Sequence, residues 1–387
     1  MNAQRFSLRG ASMGLGIALL TPCSTALAAQ WTLTPQAQVG ALAETNPRLF
    51  IGGGEDAQSL SAGGNLSLRR ATELSTLEFD AKAEQRSYLN DNSLSHLDSD
   101  LAAQYQSKRE RYDWNVRGFF VNDTTLTSEL GLSGITTENR RHRSSGGAVN
   151  VNWLLTERFK ASAGASAQFD QYPSSDLELT NYQYVSTQLG GIYALNQRSA
   201  LSLTWHHGDM AVSGGGPRTS DSSLVAQYQF AASERLNLTV AAGPSWTKGP
   251  VETRSSEVFN VTLTRNTERF KTSLSGGRRV APTARGYLTQ RDQVSVNFSA
   301  MLTERLEGTA TGAYVRSRDV LPGFNVNLVD VRYSRIAGNL RWKLRERLSL
   351  STGVGYGRQE VGLDQRQKGS GYDVRLGLNW DGDPYVW

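Results

Sequence analysis

A single cysteine, Cys23, is all the thiol chemistry these 387 residues hold, and it falls in a segment that reads as a cleaved leader. A mature chain without it forms no disulfide, thiolate metal site or Cys nucleophile, yet crosses an oxidising compartment without mispairing. Long apolar runs are also missing. Beyond residue 28 nothing approaches the roughly 20 apolar residues that a membrane helix needs, and mean hydropathy is −0.43. Histidine is scarce, with four copies, and the formal net charge of +5 is spread over interleaved acids and bases, which argues against a nucleic-acid partner. Low hydropathy does not exclude a membrane, because a barrel strand of about ten residues needs only every second residue to be apolar.

The first 28 residues read as a secretory signal: Arg5 and Arg9 make a basic start, Met13 to Leu20 an apolar run, and Ala26-Leu27-Ala28 a small-residue cleavage site. The mature chain is expected to begin near Ala29. Leu20-Thr21-Pro22-Cys23 also offers a lipoprotein-type reading, against which stand Pro22 beside the cleaved bond and the better site just downstream.

What is abundant is a returning phrase: Thr156-Glu157-Arg158-Phe159, Ser233-Glu234-Arg235-Leu236, Thr267-Glu268-Arg269-Phe270, Thr303-Glu304-Arg305-Leu306 and Arg345-Glu346-Arg347-Leu348, with Asn196-Gln197-Arg198-Ser199 as a looser copy. Each copy is flanked by stretches that alternate apolar and polar residues, so it reads as a tight turn inside a hairpin. From Thr76 to Glu84, Leu77, Phe79, Ala81 and Ala83 share one face while Glu78, Asp80, Lys82 and Glu84 share the other; a helical period would mix the sets. From Phe159 to Phe169 two aromatics bracket alternating alanines, the pattern of a lipid-facing strand.

A second class of connection alternates with these turns and is longer, varied and rich in Gly, Pro, Asp and Asn; the longest spans 122–143. Adding Arg70-Ala71-Thr72-Glu73 and Lys108-Arg109-Glu110 gives about eight short turns and nine loops. The fold class is therefore all-β: one antiparallel up-and-down transmembrane barrel of about 18 strands, with 16 an alternative, over residues 29–380, and a short tail at 381–387. Short turns face the periplasm and long loops the exterior. Aromatics near the short turns, such as Trp153 and Trp342, and near the loops, such as Phe120, Phe169, Tyr314 and Tyr356, form two belts that a soluble sandwich does not need.

Two irregularities stand out. Val331 and Tyr333 occupy one phase and Ile336, Leu340 and Trp342 the other, which predicts a bulge near Ser334 to Ile336. Tyr372, Val374, Leu376, Leu378 and Trp380 resemble the terminal signal read by barrel-assembly machinery, but Asp381 to Trp387 follow, and Trp387 is out of phase with Trp380. Either the tail is a periplasmic extension or a bulge rephases it.

For catalysis the chain offers little. His206-His207 with Asp209 is an Asp-His pair without a recognisable nucleophile, and rim histidines are the simpler reading. No phosphate-cradling Gly loop and no His pair at metal-ligand spacing is present, so no catalytic residue, metal or cofactor is expected. By phase the lumen receives Glu78, Asp80, Lys82, Glu84, Arg111, Asp113, Arg117, Lys160, Lys271, Arg341, Lys343, Asp373 and Arg375. Charges of both signs there imply water. By analogy with trimeric porins, whose third loop narrows the channel, Glu129, Glu138, Arg140, Arg141, His142 and Arg143 of 122–143 could form a constriction; a solvated surface loop is the other reading.

The segment Asp98 to Tyr105, Tyr112 to Val116 and Asp123 to Leu130, with the recurring Leu-Thr-Glu-Arg-Leu turns, resembles a family of porin-like outer-membrane barrels found beside exopolysaccharide and exosortase-type gene systems. The resemblance implies an outer-membrane channel that passes or exports an exopolysaccharide, in contact with lipid, lipopolysaccharide, the assembly machinery and export components; it brings no catalytic residue. The alternative is a barrel whose loops bind a surface glycan or partner.

Overall fold

The computed structural model describes residues 29–50, 52–126, 128, 139–173, 179–216, 218–250, 252–319, 330–362 and 367–387. The expected signal segment, and Glu129 and Glu138, lie outside the described residues. Eighteen long strands run in sequence order: β1 (Gln30–Glu44), β2 (Ala57–Ala71), β3 (Ser75–Tyr88), β4 (His96–Lys108), β5 (Tyr112–Thr124), β6 (Arg141–Leu154), β7 (Phe159–Gln171), β8 (Tyr182–Asn196) and β9 (Ser199–Val212). They continue with β10 (Thr219–Ser233), β11 (Leu236–Lys248), β12 (Thr253–Asn266), β13 (Phe270–Pro282), β14 (Leu288–Met301), β15 (Leu306–Asp319), β16 (Val331–Arg345), β17 (Leu348–Val361) and β18 (Gln367–Asp381), followed by a two-residue β19 (Tyr385–Val386). Each strand pairs antiparallel with its sequence neighbours, and β1 pairs with β18, closing the sheet into a barrel. Closure leaves no long edge unpaired, the condition for spanning lipid with strands.

The short turns form because their first side chain replaces a missing backbone partner. Thr156 and Thr267 accept the amides of Phe159 and Phe270 at 3.1 Å, and Thr303 accepts that of Leu306 at 3.0 Å. Ser233 and Asn196 accept from Arg235 and Arg198. By analogy with helix caps such a contact is worth about 1 kcal/mol. The turns after Asn196, after Ser233 and after Arg345 are two residues long, and each carries a register shift beside it.

The outer face is apolar. Leu201, Leu203 and Trp205 of β9 are 49, 52 and 40% exposed, as are Tyr372, Val374 and Leu376 of β18 at 53 to 63%, while the residues between them face the lumen. Water would charge roughly 25 cal/mol per Å² against such a surface; lipid does not.

The expected bulge near Ser334 to Ile336 is corrected. Strand β16 pairs without interruption from Val331 to Trp342 with one neighbour or both, and its register shift lies at Lys343/Arg345. Val331 and Tyr333 are apolar yet lumen-facing because the barrel mouth is packed there: Tyr333 lies with Val315 and Leu49 in one buried cluster.

After Asp381 the chain leaves the ladder at Gly382 to Pro384 and rejoins it. Gln36 pairs with Asp381, but Leu33 pairs with Tyr385, so two residues of β1 face three of the tail. That single extra residue rephases the end: Trp387 exchanges both backbone hydrogen bonds with Trp31, at 2.9 and 3.1 Å, and their rings stack at 6.3 Å.

Candidate functional site: the lumen wall and its mouth

Period-two alternation carries polar side chains to the lumen through the whole height of the wall. Glu78, Asp80, Lys82 and Glu84 of β3, Asp113 and Arg117 of β5, Lys160 of β7, Lys271 of β13, Arg341 and Lys343 of β16, and Asp373 and Arg375 of β18 all lie on the inward phase. Arg111 is instead in the exposed short turn before β5. Sequence phase did not single out Glu44, Arg69, Arg86, Asp98, Asp100, Glu307, Arg335 or Asp381, which share the inner face; several stand at strand ends where the apolar alternation has faded.

The inner charges are sorted by sector. Strands β1–β4 present Glu44, Glu78, Asp80, Glu84, Asp98 and Asp100 against Arg69, Lys82 and Arg86, whereas β16 and β18 present Arg335, Arg341, Lys343 and Arg375 against Asp373 and Asp381. The neutral Gln36 and Gln38 of β1 separate them: Gln38 donates to Glu84 at 2.8 Å and Gln36 to Asp381 at 3.1 Å. Arg341 reaches Asp381 at 2.6 Å, and Asp373 sits between Arg335 at 2.6 Å and Arg375 at 2.9 Å. A recess of about 740 Å³ lies between the two sectors, lined by Asp80, Lys82, Asp100, Glu307, Arg341 and Asp381 among others. The far wall is richer in hydroxyls, with pairs such as Ser166–Ser186 at 2.8 Å and Ser275–Ser295 at 2.6 Å standing between charges such as Lys160 and Lys271.

Two inward contacts narrow the mouth. The connection between β1 and β2 folds over the β17–β18 rim: Asn46 accepts from the Phe50 amide at 2.9 Å and donates to Ser370 at 3.2 Å. Arg48 crosses to Asp91 at 3.1 Å and Ser93 at 2.8 Å. Hydrogen bonds from the Ser93 hydroxyl and amide, with Arg48 nearby, hold the Asp91 carboxyl below the usual carboxylate range. The close approach requires glycine. A Cβ on Gly369 would lie 1.9 Å from the Leu49 carbonyl oxygen, and one on Gly371 2.2 Å from that of Thr45. On the other side, the β13–β14 tip meets the β7–β8 connection, where the Thr180 amide donates to the Ala284 carbonyl at 2.7 Å. Tyr172, Tyr182, Met210, Ala284 and Leu288 form a buried apolar cluster beneath.

The expected constriction residues are distributed differently. Arg141 and Arg143 belong to β6 rather than to a loop and face outward, Arg141 donating to the Leu97 carbonyl at 2.9 Å. The Arg140 amide donates to Thr125 at 3.1 Å at the base of the connection. His142 turns inward, and it is 3% exposed: Nδ1 lies 2.7 Å from Asp123 and Nε2 2.9 Å from Asp170, with the ring stacked on Tyr172 at 5.0 Å. Asp123 and His142 stand three residues beyond the Phe120–Ser145–Phe169 belt, above the membrane-spanning part of the strands, and Asp170 reaches up from one residue beyond Phe169. Burial lowers the pKa of His142, but hydrogen bonds and charge from Asp123 and Asp170 outweigh burial and push it up to about 9. Both ring nitrogens face carboxylates, which only an imidazolium satisfies with two N–H groups. His206 turns inward beside Tyr184 at 3.2 Å, and His207 outward, stacked on Trp205. Among the described residues no group of His, Cys, Asp and Glu is placed to hold a metal.

A closed antiparallel barrel with short turns at one rim, long connections at the other, an apolar outer band and a polar charged interior defines a transmembrane β-barrel of the Gram-negative outer membrane. No family model and no curated protein matches the chain. Among solved structures it is similar to Pseudomonas aeruginosa OpdQ, with a TM-score of 0.46 and 12% identity over 92% of this chain and 98% of that one. It is similar also to P. aeruginosa OccK2 (OpdF) in complex with glucuronate, at 0.45 and 12% over 90% and 97%, and to Acinetobacter baumannii OccAB2, at 0.45 and 9% over 91% and 98%. The class of the protein rests on its own strand pairing and face alternation.

Proposed function

We propose that this barrel is a passive channel for small polar solutes across the outer membrane. The observation that supports it most is the exposure of charged side chains on the inner face: Asp80, Lys82, Arg117, Lys160, Lys271, Lys343 and Arg375 are all exposed although they lie inside the ring of strands. Isolated charges removed from water cost several kcal/mol each, so a wall of them implies a continuous water column. The recess between acidic and basic sectors gives that column a transverse field, which favours solutes carrying both polar groups and charge. Passage of an exopolysaccharide is the finer form of this reading; its support is the hydroxyl- and amide-rich far wall, which suits a hydrated sugar, while the bridged mouth favours short molecules over a polymer. Proteoliposome swelling with sugars of increasing length tests both. Swelling with monosaccharides that falls off by the tetrasaccharide supports a small-solute channel, and no swelling with any sugar contradicts it.

A further inference from the structure

The outer surface carries a cluster of arginines that neither the channel nor the barrel requires. Tyr314 of β15, Tyr356 of β17 and Ile336 of β16 end the lipid-facing band on the loop side. Two residues beyond Tyr314 on the same face comes Arg316, then Arg318; two beyond Tyr356 comes Arg358; four beyond Ile336 comes Arg332. Arg278 of β13 and Lys368 of β18 complete the patch, and one cross-strand row runs Arg278, Asp292, Arg316, Arg332, Glu360, Lys368.

The acids in this patch act as clips. Asp292 takes Arg278 at 2.6 Å and Arg318 at 2.5 Å; Asp330 takes Arg316 at 2.8 Å and Arg332 at 3.5 Å. One carboxylate shared by two guanidiniums orients both and leaves one positive charge in excess at each node. With Arg358 against Glu360 at 2.6 Å, Lys368 beside them and Glu257 of β12 near Arg278, six cations face four acids. Above the belt on β8–β10 the outward residues are Gln183, Asp209 and Ser220; Lys248 of β11 and Arg141 and Arg143 of β6 also face outward, but among the described residues the largest group of outward cations lies on β13–β18.

We infer that this face binds the phosphate groups of an outer-leaflet glycolipid. An aromatic belt marks the headgroup level, a basic patch immediately beyond it meets anionic headgroups, and a guanidinium recognises phosphate through paired N–H donors. The acyl chains of the same lipid would lie on Val294, Tyr314, Val354 and Tyr372 below, all exposed on the outer face. The site belongs to the barrel exterior and stands whether or not the lumen conducts.

The test is native mass spectrometry of the refolded full-length barrel with bisphosphorylated lipid A in detergent. The wild-type barrel retains lipid A, and the triple variant R316A/R332A/R358A weakens binding by about tenfold or more, as loss of several charge-assisted contacts would. The variant R158A/R235A/R269A removes the same charge at the opposite rim and leaves binding unchanged. Lipid A stripped of both phosphates loses affinity to the same extent, and excess inorganic phosphate does not displace the lipid. Equal binding by the first triple, equal binding of stripped lipid, or displacement by inorganic phosphate overturns the assignment. A heat-modifiable gel shift verifies folding; should the triple misfold, R358Q/K368Q is read in its place against the same criteria.

Discussion

His142 and Asp170 meet at 2.9 Å on the inner face of the barrel mouth, with Asp123 on the other ring nitrogen at 2.7 Å. The contact joins β5, β6 and β7 at the base of the longest connection and, through the stacked Tyr172, reaches the apolar cluster that bridges the mouth. Breaking such a buried charged set by removing one partner typically costs about 3–5 kcal/mol. H142A is therefore expected to lower the urea midpoint of the folded barrel clearly, and H142Q, which leaves one carboxylate unpaired, nearly as much.

The same contact sets a pH dependence. Its folded pKa, about 9, stands above the ordinary value near 6.5, so its stabilisation is complete below about pH 6.5 and disappears as pH rises through about 9. Urea midpoints of the wild type should fall between pH 7 and pH 10 by more than those of H142A. Parallel curves for the two proteins would refute the assignment.

Leu49 and Gly369 set the width of the mouth on the β17–β18 side. Because a Cβ at Gly369 meets the Leu49 carbonyl at 1.9 Å, G369V displaces the β1–β2 connection. Single-channel current should rise while the heat-modifiable gel shift is retained; L49A, which removes the cluster with Val315 and Tyr333, should act in the same direction. Currents equal to wild type in both variants would show that this connection does not limit flow.

Trp387 and Trp31 seal the barrel at its periplasmic end. An aromatic pair contributes about 0.5–1.5 kcal/mol beyond area burial, and the two backbone hydrogen bonds add to it. Truncation after Asp381 should slow refolding into lipid vesicles and lower its yield, and W387A should do so less. Refolding at the wild-type rate after truncation would mean that the tail is dispensable for closure.

The hairpin order, the strand number and the sidedness were legible in the sequence because lipid on one face and water on the other impose a period of two. The Thr-Glu-Arg phrase marked the turns for a physical reason, since Thr156, Thr267 and Thr303 accept the amides that close them. Legibility ended where lipid ends. Above the belts the apolar outer face ends: the extension of β6 down to Arg141 is polar on both faces, and in that of β9 up to Val212 the apolar residues Met210 and Val212 lie on the inner face, so the alternation is lost although the backbone ladder continues. Val331 and Tyr333 misled for the complementary reason, since an apolar residue on a wetted wall is explained only by a distant Leu49. The Asp123–His142–Asp170 set joins three strands at separations that no local motif records, and Arg141 and Arg143 faced outward once β6 proved to begin at Arg141.

The most direct test of the channel is planar-bilayer recording with the purified, heat-modifiable barrel. Discrete conductance steps, increased by G369V and preserved in the exterior triple R316A/R332A/R358A, are predicted. A bilayer that stays electrically sealed while folded protein is demonstrably inserted would contradict it.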